Sequence, residues 1–323
     1  PSRSTPTDTD APPHESMRTI LLGPQRFQVT APAALRSLGV DGPVATINSG
    51  WEEREDVVEE LDAALDGRAV HLRLHHRMED VLAKDPTFAA SALAFRDRHD
   101  DLLTSYRLRL HHALDGVYAV QRRATAGHGR SFGAVDDAIE GLRAIDQWYL
   151  RTLRVLYEDM REVAPLESSG VIGWHRGEIE ALLSRCAVLV MPGGHVGTLL
   201  RTLRLFAVEI PEAMPVIAWS AGAMALTERV VLFHDLGPEG ASETEVHDAG
   251  LGRIKGFIAL PHARRRLLLD DKARCSVFAR RFMERHCVLL DDGVILEIDA
   301  AGALPAGARV LGLDGAIHEV QPR

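Results

Sequence analysis

The sequence predicts an α/β fold: a mostly parallel central sheet flanked by helices, with a large all-helical insertion and short C-terminal strands. Three observations lead there. Short apolar runs that end in Gly or Pro alternate with helix-spaced segments over residues 18–74 and again after about residue 165, as expected of strands joined by crossover helices. Between them, residues 79–164 contain few β-branched residues and several stripes with three-and-four spacing,. Toward the C-terminus, short apolar runs are separated by Asp-Gly turns, a hairpin signal.

Taken in order, Arg18–Leu22 reads as a buried strand followed by Gly23-Pro24, and Val44–Ile47 as a second, stopped at Asn48-Ser49-Gly50. Glu52–Leu65 has helical spacing, with Val57, Val58, Leu61 and Leu65 on one stripe and Gly67 to end it,. Ala69–Leu74 reads as a third strand. In the insertion, Leu102, Leu103, Tyr106, Leu110 and Leu114 share a helical face, as do Ile145, Trp148, Tyr149, Thr152, Leu153 and Leu156. The glycines of Thr125–Gly133 mark a loop, so two or three long helices are expected, forming a bundle or an arm,. Next, Glu178–Leu183 closes a helix and Ala187–Met191 is a strand ending at Pro192-Gly193-Gly194. Thr198–Phe206 reads as a helix, Val216–Trp219 and Phe257–Leu260 as strands, and Arg274–Arg285 as a helix. Val288–Leu290, Val294–Glu297, Ala308–Leu311 and Ile317–Val320 read as short strands, with hairpins expected at Asp291-Asp292-Gly293 and Asp314-Gly315. The resulting organisation is a disordered tail at 1–16, an α/β domain of 17–78 and 165–323, and a helical insertion at 79–164. Met17 is a candidate native start, the Pro-, Ser-, Thr- and Asp-rich stretch before it being an extension,.

At 323 residues with 46% hydrophobic and 26% charged residues, the chain can bury a large core. A net charge of −9 argues against non-specific nucleic-acid binding, which needs a basic face. The longest apolar runs are too short to span a bilayer, so neither nucleic acid nor membrane is expected as a partner. No secretory signal pattern opens the chain. Cys186, Cys275 and Cys287 form no disulfide framework and no metal spacing,, so a reduced, cytoplasmic setting is expected. The pairs His75-His76 and His111-His112 invite a metal reading. Adjacent side chains diverge by about 100° on a helix and point to opposite faces on a strand, so neither pair alone can easily grip an ion. No metal site and no cofactor are expected.

The chemistry is concentrated in Pro215-Val-Ile-Ala-Trp-Ser-Ala-Gly-Ala-Met224. An apolar run ends in Ala218-Trp219-Ser220-Ala221-Gly222 and a helix-forming run follows, which reads as a nucleophile elbow. The small residues two before and two after Ser220 permit a tight turn that places it at a helix N-terminus. Alone, such a motif is also found in ordinary strand-to-helix turns. Three features add to it. Gly193-Gly194-His195 ends the preceding strand, on the sheet edge where ligands bind in open α/β sheets; a glycine pair there lets a backbone N–H reach an oxyanion. Pro261-His262 ends a later strand and can supply a general base. Asp235 follows the elbow helix and could orient that base, with Glu239, Glu243, Glu245 and Asp248 as competitors that residue chemistry alone does not separate.

Ala218-Trp219-Ser220-Ala221-Gly222-Ala223 resembles the Gly-Trp-Ser-Ala-Gly-Ala nucleophile segment of the peptidase E (aspartyl dipeptidase) and cyanophycinase family. These serine hydrolases have a class I glutamine amidotransferase-like fold. Gly193-Gly194 with Leu199-Leu200 resembles the family's Gly-Gly-Asn-Thr-x-x-Leu-Leu, Pro261-His262 its Pro-His, and Asp235 stands at the peptidase E offset from the serine. The resemblance covers residues 178–323, with 18–74 supplying the first part of the sheet. It implies a Ser-His-Asp triad of Ser220, His262 and Asp235, and an oxyanion hole from the N–H groups of Gly194 and Ala221. Cyanophycinase places a Glu in the third role, which keeps Glu239 as an alternative acid. His195 stands where the family has Asn, and Ala218 where it has Gly. The helical block has no counterpart in peptidase E. Glutamine amidotransferases of this fold carry Cys at the elbow and His-x-Glu, whereas this chain has Ser220 and, two residues after His262, Arg264. His195, Trp219 and Arg264 are candidate substrate contacts. The expected activity is hydrolysis of a small peptide or amide substrate through an acyl-enzyme. The alternative is a catalytically degenerate relative that serves in binding or assembly through its insertion, for instance as a homodimer.

Overall fold

The computed structural model describes residues 18–126, 133–235, 242–299 and 302–322. The expected N-terminal tail, Met17, the tip of the insertion loop and Glu239 lie outside them. The described chain runs β1 (Thr19–Leu22), α1 (Ala31–Leu38), β2 (Val44–Thr46), a 3-10 turn (Ser49–Arg54), α2 (Glu59–Ala64), β3 (Ala69–His71) and α3 (Leu74–Lys84). The long helices α4 (Pro86–Thr125) and α5 (Ala134–Val163) follow, then α6 (Gly170–Leu183), β4 (Val188–Met191), α7 (Val196–Leu205), β5 (Val216–Trp219) and α8 (Ala221–Leu226). The chain continues through β6 (Arg229–His234), β7 (Ser242–Ala249), β8 (Phe257–Pro261), α9 (Ala263–Arg266) and α10 (Lys272–Arg281). It ends with β9 (His286–Leu290), β10 (Ile295–Ile298), β11 (Arg309–Leu311) and β12 (Ile317–Glu319).

Six strands form the central sheet in the order β10-β1-β5-β4-β2-β3. All neighbours are parallel except β10, which runs antiparallel to β1. The continuous apolar runs of β1, β4 and β5 are buried at every position, as a parallel sheet covered on both faces requires. One face packs Ile20, Leu22, Ile217 and Trp219 against Leu35 and Leu38 of α1. The other packs Leu21, Leu189, Met191 and Ala218 against Leu199, Leu203 and the elbow helix α8. A second sheet, β12-β11-β9-β8, and the hairpin β6-β7 complete the strands.

Three local expectations are corrected. Asp291-Asp292-Gly293 does not close a hairpin: β9 pairs with β8 and β11, whereas β10 joins the central sheet beside β1. The chain therefore crosses between sheets at Asp291. The helix expected over Glu52–Leu65 is broken, because Glu52 has φ 56° and ψ −126°; Val57 is exposed, while Leu61 and Leu65 are buried. Ser242–Ala249, for which no strand was expected, forms β7, paired with β6.

Helices α4 and α5 pack against each other through the stripe Leu102, Tyr106, Leu110 and Leu114 on one and Ile139, Leu142, Tyr149 and Leu153 on the other. The Tyr106 and Tyr149 rings stack at 4.3 Å. The pair does not project as a free arm, because its stripe continues into the core formed by β6, β7, β8, β9 and α10. A buried ion pair fastens it there. Arg281 of α10 grips Asp146 of α5 through Nε at 2.8 Å and Nη2 at 2.5 Å. Tyr106 Oη donates to Asp146 Oδ1 at 2.8 Å and accepts from Val246 N of β7 at 2.9 Å. No described helix is long and apolar enough to cross a membrane.

Candidate active site

Ser220 follows β5 directly and is the N-cap of α8, with φ 49° and ψ −120°. That conformation is unfavourable for a non-glycine residue and is held by the packing around it. The turn is tight because α8 presses on the loop after β4: a Cβ on Gly222 would lie 2.0 Å from the Met191 carbonyl oxygen. Only glycine fits that approach. A Cβ on Gly193 would meet Ser220 Cβ at 2.8 Å, whereas one on Gly194, which has φ 119°, would meet the Gly50 carbonyl oxygen at 2.3 Å. Gly193 is thus the glycine against the serine, and Gly194 leans on the turn after β2. The N–H of Ala221 belongs to the first turn of α8, where no intrahelical acceptor exists,.

His262 follows β8 in the second sheet, with φ 57° and ψ 31°. Its N–H donates to Leu290 O at 3.1 Å, fixing it against the end of β9. Its Nε2 stands 3.4 Å from Ser220 Oγ, close to hydrogen-bond range for an unliganded site. Burial lowers the His262 pKa below the ordinary imidazole value; Arg266 and Arg265 lower it too, while Asp292 and Asp291 raise it. Ser220 and His262 are both half-buried.

Asp235 is buried, but no hydrogen bond joins it to His262. Its Oδ1 accepts from Arg274 Nη2 at 2.5 Å and its Oδ2 from Leu268 N at 3.1 Å. The carboxylates whose charge reaches His262 are instead those of the sheet crossing. Asp291 is buried, its Oδ1 accepts from Arg264 N at 2.9 Å, and its Oδ2 has no hydrogen-bond partner. Asp292 accepts from Arg265 at 2.6 Å. The signal for both was present in the sequence as Asp291-Asp292-Gly293 but read there as a turn. Of the other expected acids, Glu243 binds His111, Glu245 holds Arg107 through two hydrogen bonds at 2.7 Å, and Asp248 accepts from Tyr157 and Arg204.

His195 caps α7. Its Nδ1 accepts from Thr198 N at 3.1 Å. Its side chain is largely exposed, at 62%, with Nδ1 3.7 Å from Glu52 Oε1. Glu52, which sequence reasoning missed, lies beside it and accepts from Thr198 Oγ1 at 2.6 Å. His247 of β7 also approaches: both it and His195 come within 3.0 Å of the Cβ that Gly197 lacks. Trp219 is not a cleft residue; its side chain is buried in the core against α1, as alternation along β5 dictates. The Arg264 side chain is 65% exposed, with Nε 3.6 Å from Asp291 Oδ2. The three cysteines are buried and free. Burial pushes the Cys287 thiol up to about 12 and that of Cys275 to about 11, and raises Cys186, so none is a ready thiolate nucleophile.

Fold and site together define an α/β protein that presents a strained serine and an imidazole at the carboxyl edges of parallel strands. No protein-family model matches the chain, and no curated protein matches it. Among solved structures, the chain is similar to a peptidase from an acI-B1 Actinobacterium, with a TM-score of 0.45, 13% sequence identity and 95% of each chain covered.

Proposed function

We propose that the protein is a serine hydrolase of small peptides or amides, with Ser220 as nucleophile and His262 as general base. The observation that carries the reading is the 3.4 Å approach of His262 Nε2 to Ser220 Oγ, made by two residues in strained conformations at the ends of β5 and β8. In the reaction, Ser220 Oγ attacks the carbonyl carbon while His262 Nε2 takes its proton. The oxyanion is stabilised by the N–H of Ala221 and by the Gly193-Gly194 turn. His262 then passes the proton to the leaving amine, and water hydrolyses the acyl-enzyme with His262 again as base. Asp292 and Asp291 are the carboxylates that favour the imidazolium; of the two, Asp291 is the buried one, its Oδ2 making no hydrogen bond but lying 3.6 Å from Arg264 Nε and 3.8 Å from Arg309 Nη1, and we take it as the positioning residue.

The experiment is an amine-release assay on a mixed dipeptide and amide panel. Activity that falls by about 10³-fold or more in both Ser220→Ala and His262→Ala, the scale of triad removal, supports the reading. Undiminished activity in Ser220→Ala overturns it. One observation favours the second reading, a degenerate site on a binding protein: no hydrogen bond to His262 Nδ1 forms among the described residues. A folded protein with no activity on any member of the panel, and self-association that depends on α4 and α5, is the outcome that reading expects.

A further inference from the structure

We propose that Glu55, His75 and His76 form a binding site for one divalent metal ion of the zinc class, separate from the Ser220 cleft. Neither histidine of an adjacent pair can readily share an ion with the other unaided, because the side chains diverge along the helix. The fold supplies what the pair lacks. Glu55 follows the 3-10 turn after β2 and reaches the first turn of α3, where its Oε1 accepts from His75 N at 3.1 Å and its Oε2 from His76 N at 2.9 Å. One ligand atom from each of the three residues lies within 4.8 Å of the other two.

Capping of α3 explains why Glu55 is buried, at 1% exposure, but it does not explain the imidazoles. The His75 side chain is 9% exposed, and its Nδ1 is buried without a hydrogen-bond partner; the Glu79 carboxylate stands 3.9 Å away. His76 Nε2 is likewise buried without a hydrogen bond, although Asp56 Oδ2 lies 2.9 Å from it. Asp56 thus answers His76 Nε2, whereas His75 Nδ1 remains a buried polar atom without a hydrogen-bond partner, which is costly and calls for an occupant. The second nitrogen of His76, Nδ1, is hydrogen-bonded to Glu79 Oε2 at 3.1 Å. A carboxylate on the far nitrogen is the outer-shell arrangement that fixes a metal-binding imidazole. Glu55 keeps free lone pairs after accepting two N–H groups, and Asp56 and Glu79 add negative charge. Two imidazoles and a carboxylate, with a position left for water, are a zinc-type donor set.

The ion would tie the turn after β2 to α3. That turn also supports the glycine pair: Gly50 O accepts from His195 N at 2.6 Å, and Glu52 accepts from Thr198. Occupancy is therefore expected to raise thermal stability as well as to bind.

The test uses the full chain, stripped with chelator and titrated with ZnCl₂ by calorimetry, with melting temperature followed in parallel. The proposal expects one equivalent bound and a melting temperature that rises with Zn²⁺, as binding to the native state alone requires. His75→Ala and His76→Asn should each weaken binding by about 10–100-fold or more, while His111→Ala/His112→Ala on the other pair leaves it unchanged. His76 is only half-buried, so its variant keeps the test valid if His75→Ala fails to fold. Absence of binding, binding that survives His76→Asn, or binding that is lost with the His111/His112 pair overturns the proposal.

Discussion

Ser220, His262 and Glu52 are three of the six described non-glycine residues with positive φ, and they follow the ends of β5, β8 and β2. Each such conformation costs about 1–3 kcal/mol and survives only where the surroundings over-determine it. For Ser220 and His262 the surroundings are the Gly222–Met191 contact and the His262–Leu290 hydrogen bond. Two predictions belong at this scale. Because burial lowers the His262 pKa, the neutral, proton-accepting form persists to lower pH than for a free imidazole. The acid limb of kcat/KM is therefore expected below the ordinary value of about 6.5. A limb at or above that value contradicts the assignment of His262 as the buried base. Asp291 raises that pKa, so Asp291→Asn should move the limb to still lower pH and reduce the rate by up to roughly 10²-fold, the lower end of what general acid–base catalysis contributes. Asp235→Asn should leave the limb in place, since Asp235 is engaged by Arg274 and Leu268. A limb that moves with Asp235 and not with Asp291 would restore Asp235 to the third role.

At the scale of elements, the elbow depends on how closely α8 approaches the end of β4. Gly222→Ala places a Cβ against backbone at 2.0 Å, where no side chain can swing away. Overpacking of this kind costs roughly 1–3 kcal/mol, occasionally more; urea unfolding should read the loss, and an unchanged midpoint would mean that the turn is not held as tightly as described. The same elements mark what was legible in the sequence. Strands β1, β2, β4, β5 and β8, the glycine pair, the elbow and His262 were readable because each is written in a few consecutive residues: an apolar run, then a turn residue. Strand β7 was not, because Ser242–Ala249 carries Glu243, Glu245, His247 and Asp248. Those residues sit in a strand that pairs with β6 and whose acids are met from outside it, Glu245 by Arg107, Glu243 by His111 and Asp248 by Tyr157 and Arg204. Asp291 was missed for a related reason. Its role comes from a crossing between two sheets, which local turn chemistry cannot distinguish from a hairpin. Glu52 was hidden in an apparently regular helical stripe.

For the whole molecule, α4 and α5 are integrated with the second sheet by the Arg281–Asp146–Tyr106 network, whose ion-pair side chains are 2% and 1% exposed. Removing one partner of a buried pair leaves an uncompensated charge and costs about 3–5 kcal/mol. Asp146→Ala is expected to lose stability on that scale in urea, as one transition seen alike by fluorescence and circular dichroism. A separate early transition would mean that the insertion unfolds on its own. The approach of Ser220 to His262 joins two sheets, since Ser220 follows β5 of the central sheet and His262 follows β8 of the second. The most direct measurement of that meeting is labelling by a fluorophosphonate probe, followed by identification of the modified residue. The account predicts labelling of the native protein on Ser220 alone, lost in Ser220→Ala and strongly slowed in His262→Ala. A folded native protein that takes no label, or a Ser220→Ala variant labelled as fast as the native chain, would contradict it.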